Sequence, residues 1–158
     1  MRRLAVLGST GSIGTSTLEV AAAHPERLSV VALAAGRNRE ALRAQAERFR
    51  PRCLSVAEPG DAAWLRQHLS YAPEIHAGPE GLMACAQHPD ADTVVAAVVG
   101  SAGLASTEAA LRSGRRVCVA NKESLVVGGD LLLPHLAKGM VIPVDSEHST
   151  VFRCMTGE

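Results

Sequence analysis

Towards the end of this 158-residue chain, Val141 to Thr150 reads VIPVDSEHST, an apolar run that ends in two carboxylates, Asp145 and Glu147, with a single serine between them. In extended chain, residues two apart point to the same side, so the two acids would share a face and Ser146 would lie on the other. Converging carboxylates with no cation nearby repel, and one pKa rises unless a metal ion neutralises the pair. An all-oxygen donor set selects a hard ion, Mg2+ or Mn2+, over zinc. The alternative is an exposed acidic turn after a strand, the commoner setting of any D-x-E. His148 beside them reads as a surface or packing residue.

A second constellation stands near the N-terminus. The apolar run Leu4–Leu7 leads into GSTGSIG, with Gly8, Gly11 and Gly14 three residues apart, and then into a segment of helical period. Glycine suits a strand-to-helix turn that must bend sharply, admit a pyrophosphate to the backbone and pack a helix closely on a sheet. The N–H groups of Thr10, Gly11, Ser12 and Ile13, at the start of that helix, would hold the phosphates. The alternative is a merely tight turn. A Walker A loop is excluded, because no G-x-x-x-x-G-K-[ST] can be placed.

The end of the second strand selects the dinucleotide. An NAD site needs an acid there for the ribose hydroxyls, but AAGRNRE puts Gly36, Arg37, Asn38 and Arg39 in its place. A guanidinium and an amide suit a 2′-phosphate, which favours NADPH over NADH. The alternative leaves Arg37 and Arg39 as solvated surface charges. Further on, VANKESLVVGG places Asn121, Lys122 and Glu123 just after another strand. Lys122 could hold an anion or steer a proton, or the three could form an ordinary solvated loop.

The elements that must position these residues are legible from periodicity. Short aliphatic runs alternate with longer helical segments, the pattern of βαβ units and a parallel sheet. Strands are expected at Leu4–Leu7, Ser29–Ala34, Cys53–Val56, Glu74–Ala77, Thr93–Val98, Arg116–Val119 and Val141–Val144. Helices are expected at Ser12–His24, Asn38–Arg50, Asp61–Leu69, Glu80–Gln87, Leu104–Arg112 and Leu131–Leu136. Asn38 can cap the second helix and Gly114 can close the fifth, while EPGD and HPDAD read as turns. The fold class is therefore α/β: a doubly wound, mostly parallel Rossmann-type sheet with helices on both faces. Ligands of such sheets bind beyond the C-terminal ends of the strands, where all these motifs lie.

Bulk properties narrow the partners. A chain of this length can bury about 70% of its unfolded surface in one domain. Lysine plus arginine balance aspartate plus glutamate at 16 each, so no net field draws it to nucleic acid or to an acidic membrane. Cys53, Cys85, Cys118 and Cys154 form no CxxC pair. Neither a zinc site nor a disulfide framework is indicated, and they read as buried small hydrophobes in a reducing compartment. The N-terminal apolar run is too short for a signal peptide or a membrane span, so a soluble cytoplasmic protein is expected.

In this order and at these intervals, GSTGSIG, AAGRN, ANKESLVVGG and PVDSEHS closely resemble the 1-deoxy-D-xylulose 5-phosphate reductoisomerases of the non-mevalonate isoprenoid pathway, over Met1 to about Glu158. That resemblance implies an NADPH- and divalent-metal-dependent enzyme. Its phosphorylated sugar substrate would be rearranged on Mg2+ or Mn2+ acting as a Lewis acid, then reduced to 2-C-methyl-D-erythritol 4-phosphate. Thr10, Gly11, Ser12 and Ile13 would cradle the cofactor pyrophosphate, and Gly36, Arg37 and Asn38 would receive the adenosine 2′-phosphate end. Asn121 and Glu123 would also line the NADPH site. Lys122 would contact substrate, Asp145 and Glu147 would ligate the metal, and Ser146 and Glu147 would also touch substrate.

Family members are much longer. Residues 1–149 are accordingly expected to form an NADPH-binding Rossmann-like domain ending in the metal-binding DSE. Residues 150–158 would begin a catalytic domain that these residues do not contain, together with its third metal carboxylate, substrate-phosphate contacts and lid. The full-length family is expected to be homodimeric, and this chain alone to bind NADPH with little or no turnover. Two other readings share the glycine loop: a non-catalytic NADPH-binding module, and a different nicotinamide-dependent aldehyde or semialdehyde dehydrogenase. The second of these would have no need of DSE.

Overall fold

The computed structural model describes residues 1–120, 127–129, 134–135, 138–144 and 154. Within them the chain runs β1 Arg2–Leu7, α1 Ser12–Ala23, β2 Leu28–Ala34, α2 Arg39–Phe49, β3 Cys53–Val56, α3 Pro59–His68, β4 Glu74–Ala77, α4 Gly78–Ala86, β5 Thr93–Ala96, α5 Ser101–Arg112, β6 Arg116–Val119 and β7 Val141–Pro143. The strands form a seven-stranded sheet in the order β4-β3-β2-β1-β5-β6-β7. Every neighbouring pair is parallel. The expected doubly wound sheet is thus present.

Strands covered on both faces should be apolar throughout rather than alternating. All of β3 and β5, and Leu4–Leu7 of β1, are buried accordingly. Alternate residues feed two cores. One unites Ala5, Leu7, Val94, Ala96 and Val117 with Cys85 and Ala86 of α4 and Ala110 and Leu111 of α5. The other unites Leu4, Val6, Leu33 and Leu54 with Leu18 of α1, Leu42 of α2 and Leu65 of α3. Helices therefore cover both faces, α4 and α5 one side and α1 to α3 the other.

Helix starts differ from expectation where proline intervenes. EPGD is no free turn: Glu58 is the N-cap, and Pro59 and Asp61 lie in the first turn of α3. Proline's fixed φ and missing N–H suit that position, and an acid there complements the helix dipole. Likewise Gly78 and Pro79 begin α4, two residues before the expected start. The fifth helix begins at Ser101 rather than Leu104, and β5 stops at Ala96. Asn38 caps α2 through Oδ1, which accepts from Ala41 N at 3.1 Å. Gly114, at φ +76°, closes α5, with Arg115 N donating to Ala110 O at 3.1 Å. The expected helix Leu131–Leu136 lies outside the described residues except for Pro134 and His135, which are helical.

Cys53 and Cys85 are buried as expected, but Cys118 is only partly covered and Cys154 is exposed. Cys118 sits on β6, where its side chain packs at the border of a core. Although Cys53 and Cys85 are far apart in sequence, their sulfurs stand 3.5 Å apart, because α4 lies directly over β3.

Glu47 of α2 fastens that helix to the segment after α3, accepting from Ser70 N and Ser70 Oγ at 2.6 Å each. The bond from the Ser70 hydroxyl, then that from its backbone N–H, hold the Glu47 carboxyl below its ordinary pKa, with help from Arg50 and Arg43. A carboxyl lowered in the folded state contributes stability above its unfolded pKa and loses it as pH falls through the folded value. Glu47→Gln is therefore expected to lower the melting temperature at neutral pH and to flatten its decline on the acid side. Thermal melts across a pH series check this; parallel profiles for the two proteins would contradict it.

Candidate functional site

The sheet order places the site. From β1 the chain winds outward through β2 and β3 to β4, then crosses back to place β5 on the other flank of β1. Strand order reverses between β1 and β5, and the loops leaving their C-terminal ends diverge there to open a crevice. The glycine loop follows β1 directly into this crevice, and Ala97 to Gly100 follow β5.

Two of the three glycines are demanded by packing. Gly8 has φ +82°, and a Cβ there would stand 2.6 Å from Ala97 O and 2.9 Å from Ala97 C. A Cβ on Gly14 would lie 2.6 Å from Ser9 Cα. Gly11 is different: at φ −77° and ψ 173° it is ordinary extended backbone, and a Cβ would meet only Gly8 O at 3.4 Å. The chain's own packing thus leaves the Gly11 side open, as a closely approaching ligand would require. Gly36 is in the same position, since a methyl added there would meet nothing within 4 Å.

Gly11 is also the N-cap of α1 and brings no side chain to its first turn. Its own N–H donates to Gly8 O at 3.1 Å. Among the described residues, the N–H groups of Thr10, Ser12 and Ile13 have no backbone acceptor. Together with the helix dipole they make an anion cradle.

Hydrogen bonds lock this cradle to the end of β2. Gly8 N and Ser9 N both donate to Ala34 O, at 2.8 and 2.9 Å, and Gln45 Nε2 of α2 donates to Ser9 O at 2.8 Å. Gly36 follows two residues after Ala34, its carbonyl accepting from Ala57 N at 3.1 Å. Arg37 is exposed, and its guanidinium makes no ion pair among the described residues. Arg39 is committed elsewhere: Nη1 lies 2.9 Å from Asp61 Oδ1 and the guanidinium stacks 4.6 Å over Trp64. The two arginines, alike in sequence, are thus separated by tertiary contacts. Asn38 spends its carbonyl oxygen on the α2 cap and keeps its NH2.

Beside Gly36 opens a mostly apolar cleft of about 260 Å3, walled by Ala35, Val56, Pro79, Leu82 and Val98. Motif spacing does not single out these residues. The signals were present, in the Gly-Pro pair that opens α4 and in the glycine-bearing segment after β5, but which strand ends adjoin depends on sheet order. Asn121, Lys122, Glu123, Asp145, Ser146, Glu147 and His148 lie outside the described residues. The strand preceding the first three ends at Val119, and the strand preceding the acids ends at Pro143, on neighbouring parallel strands with Val119 opposite Pro143. Among the described residues, no helix is long and apolar enough to cross a membrane.

Known proteins share this arrangement. The sequence model of the family described as 1-deoxy-D-xylulose 5-phosphate reductoisomerase matches residues 4–129. The enzyme of that name from Nitratidesulfovibrio vulgaris (strain DP4) is 54% identical over 160 residues, covering 99% of this chain and 39% of its own. The solved structure of the Zymomonas mobilis reductoisomerase in complex with NADPH superposes with a TM-score of 0.88 at 40% identity, covering 97% of this chain and 41% of that one. A structure of the enzyme with NADPH, fosmidomycin and magnesium gives a TM-score of 0.85 at 42% identity, covering 94% of this chain and 37% of that one. The chain therefore spans about two fifths of the length of the curated relatives it matches. The match across most of its residues, at these identities and with the same sheet, shows that the chain belongs to the 1-deoxy-D-xylulose 5-phosphate reductoisomerase family.

Proposed function

We propose that this chain binds NADPH and forms the cofactor-binding part of a reductoisomerase that converts 1-deoxy-D-xylulose 5-phosphate to 2-C-methyl-D-erythritol 4-phosphate. The observation that carries this reading is the glycine loop at the switch point, where Gly11 lacks a side chain that the fold itself would tolerate. The NADPH and magnesium in the structures of its relatives support the choice of cofactors. In this reading the N–H groups of Thr10, Ser12 and Ile13 hold the pyrophosphate, and Gly11 lets it approach. Arg37 donates to the 2′-phosphate with the Asn38 amide beside it, and the Gly36 cleft takes the adenine, whose flat apolar face suits such walls.

Asn121 and Glu123 complete the cofactor site, Lys122, Ser146 and Glu147 contact substrate, and Asp145 and Glu147 hold Mg2+ or Mn2+. When bound, NADPH supplies a hydride for a carbonyl carbon and the divalent ion supplies Lewis acidity. The protein's part would be to hold the cofactor in the crevice at the C-terminal ends of β1 and β5, through the glycine loop and the end of β2. We assign residues 1–149 to the cofactor domain, with the remaining residues leading into the catalytic domain. The full-length enzyme is proposed to be a cytoplasmic homodimer.

Fluorescence titration with NADPH, paired with a Mn2+-supplemented turnover assay, tests the reading. Residues 1–158 are expected to bind NADPH saturably with little or no turnover, since more than half of the relative lies outside the match. Absence of NADPH binding would overturn the cofactor assignment. Robust conversion by these residues alone would overturn the division of labour.

A further inference from the structure

At the β4 edge of the sheet, away from the glycine loop, β3, β4 and α4 bring together side chains that the proposed reaction does not use. Parallel register pairs Cys53 with Glu74 and Ser55 with His76, so the two-residue period puts all four on one face. That face lies under α4. A Cβ at Gly81 would stand 2.5 Å from Ser55 Oγ and 2.8 Å from His76 Cβ, so only glycine lets the helix come so close. One turn further along α4, Cys85 Sγ reaches to 3.5 Å from Cys53 Sγ. The Cys53 sulfur, a Glu74 carboxylate oxygen and a His76 ring nitrogen all lie within 4.8 Å of one another, with His76 Nε2 3.6 Å from Glu74 Oε2.

The His76–Glu74 separation already matches a tetrahedral site, and the Cys53 sulfur lies within a side-chain rotation of one. With metal–sulfur bonds of about 2.3 Å and metal–nitrogen or –oxygen bonds of about 2.0–2.2 Å, donor atoms around zinc stand about 3.3–3.8 Å apart. Closing the cluster on one ion calls for rotation of the His76 and Glu74 side chains, which their exposure at the sheet edge permits. We propose that Cys53, Glu74 and His76 form a binding site for a borderline-soft divalent ion of the zinc class, with the fourth position left to water. Thiolate and imidazole donors favour Zn2+ over Mg2+, so this site and the oxygen pair Asp145 and Glu147 take different ions.

The site has both a floor and an entrance. Cys53 and Cys85 are buried, whereas the His76 and Glu74 side chains are 40% and 73% exposed, so an ion enters across the edge strand β4. A buried cysteine beside a surface His–Glu pair would otherwise be ordinary packing, but here sulfur, nitrogen and oxygen donors all lie within 4.8 Å of one another. Once bound, the ion joins the edge strand β4 to β3 and so stabilises the folded state.

Cobalt(II), a spectroscopic substitute for zinc, tests this on the metal-stripped chain of residues 1–158. One equivalent should produce a thiolate-to-cobalt charge-transfer band that Zn2+ abolishes by displacement and that excess Mg2+ leaves unchanged. Cys53→Ser should remove the band. His76→Ala, on the exposed edge, should weaken binding by more than the roughly 10–100-fold that loss of an outer-shell partner costs, and Cys118→Ser and Cys154→Ser should leave it unchanged. Circular dichroism without metal shows whether each variant is folded; if Cys53→Ser is not, His76→Ala decides. A missing band, a band retained at full affinity in folded Cys53→Ser or in His76→Ala, or one lost in Cys118→Ser or Cys154→Ser would overturn the proposal. NADPH binding is read separately, so failure of this site leaves the cofactor assignment standing.

Discussion

Replacing Gly8 by alanine is expected to destabilise the protein by about 3 kcal/mol and to abolish NADPH binding. Two penalties combine. An L-residue held in the left-handed region costs about 1–2 kcal/mol, and Gly8 sits at φ +82°. Forcing a methyl into a filled space costs about 1–3 kcal/mol more, and the nearest obstacle is backbone, Ala97 O at 2.6 Å, which cannot rotate away. Relief would require β1 and β5 to part at the switch point, which opens the crevice the cofactor is proposed to occupy. Denaturant unfolding measures the first effect and NADPH fluorescence the second. Gly11→Ala separates them: its methyl meets only Gly8 O at 3.4 Å, so stability should change by no more than about 0.5 kcal/mol. Its NADPH affinity should still fall by about tenfold or more, a cost of about 1.4 kcal/mol, because the methyl points into the space assigned to the pyrophosphate. A Gly8→Ala protein as stable as the parent would contradict the account of the loop.

Arg37→Ala is expected to weaken NADPH binding by about 10–100-fold while leaving NADH binding within about threefold. Hydrogen bonds to a charged group contribute about 1.5–3 kcal/mol each, and each 1.4 kcal/mol is a factor of ten in affinity. The side chain is exposed at the end of β2, so its removal should leave the core undisturbed. Arg39→Ala supplies the contrast, because its guanidinium already holds Asp61 at 2.9 Å. That variant should lose a little stability and keep its preference for NADPH. The same loss of preference in both variants, or in Arg39→Ala alone, would sink the assignment of Arg37 to the 2′-phosphate.

Periodicity made the strands and most helices readable because continuous aliphatic runs such as Leu4–Leu7 and Val94–Ala96 are what a strand covered on both faces demands. The larger errors fell at helix starts and at the end of β5. At Pro59 and Pro79 the sequence suggests a break, yet proline at the first turn loses no hydrogen bond and the helix simply begins there. Within the site, the phosphate loop and the arginine-bearing strand end were legible from local composition. The apolar cleft beside Gly36 was not, because its walls come from β2, β3 and α4 and from the segment after β5.

By itself, the sequence determined the element types, the glycine turn and the family, since each rests on residue types at short spacing along the chain. Tertiary structure alone decided which elements became neighbours. The crossing from β4 back to β5 created the crevice; Asp61 and Trp64 drew Arg39 away and left Arg37 facing solvent. The same crossing laid α4 over β3 and brought Cys85 to Cys53, across 32 residues, although no spacing rule pairs them. The physical reason is that a repeat of two or 3.6 residues encodes which face of an element is buried, whereas the partner that buries it is set by packing between residues distant in the chain.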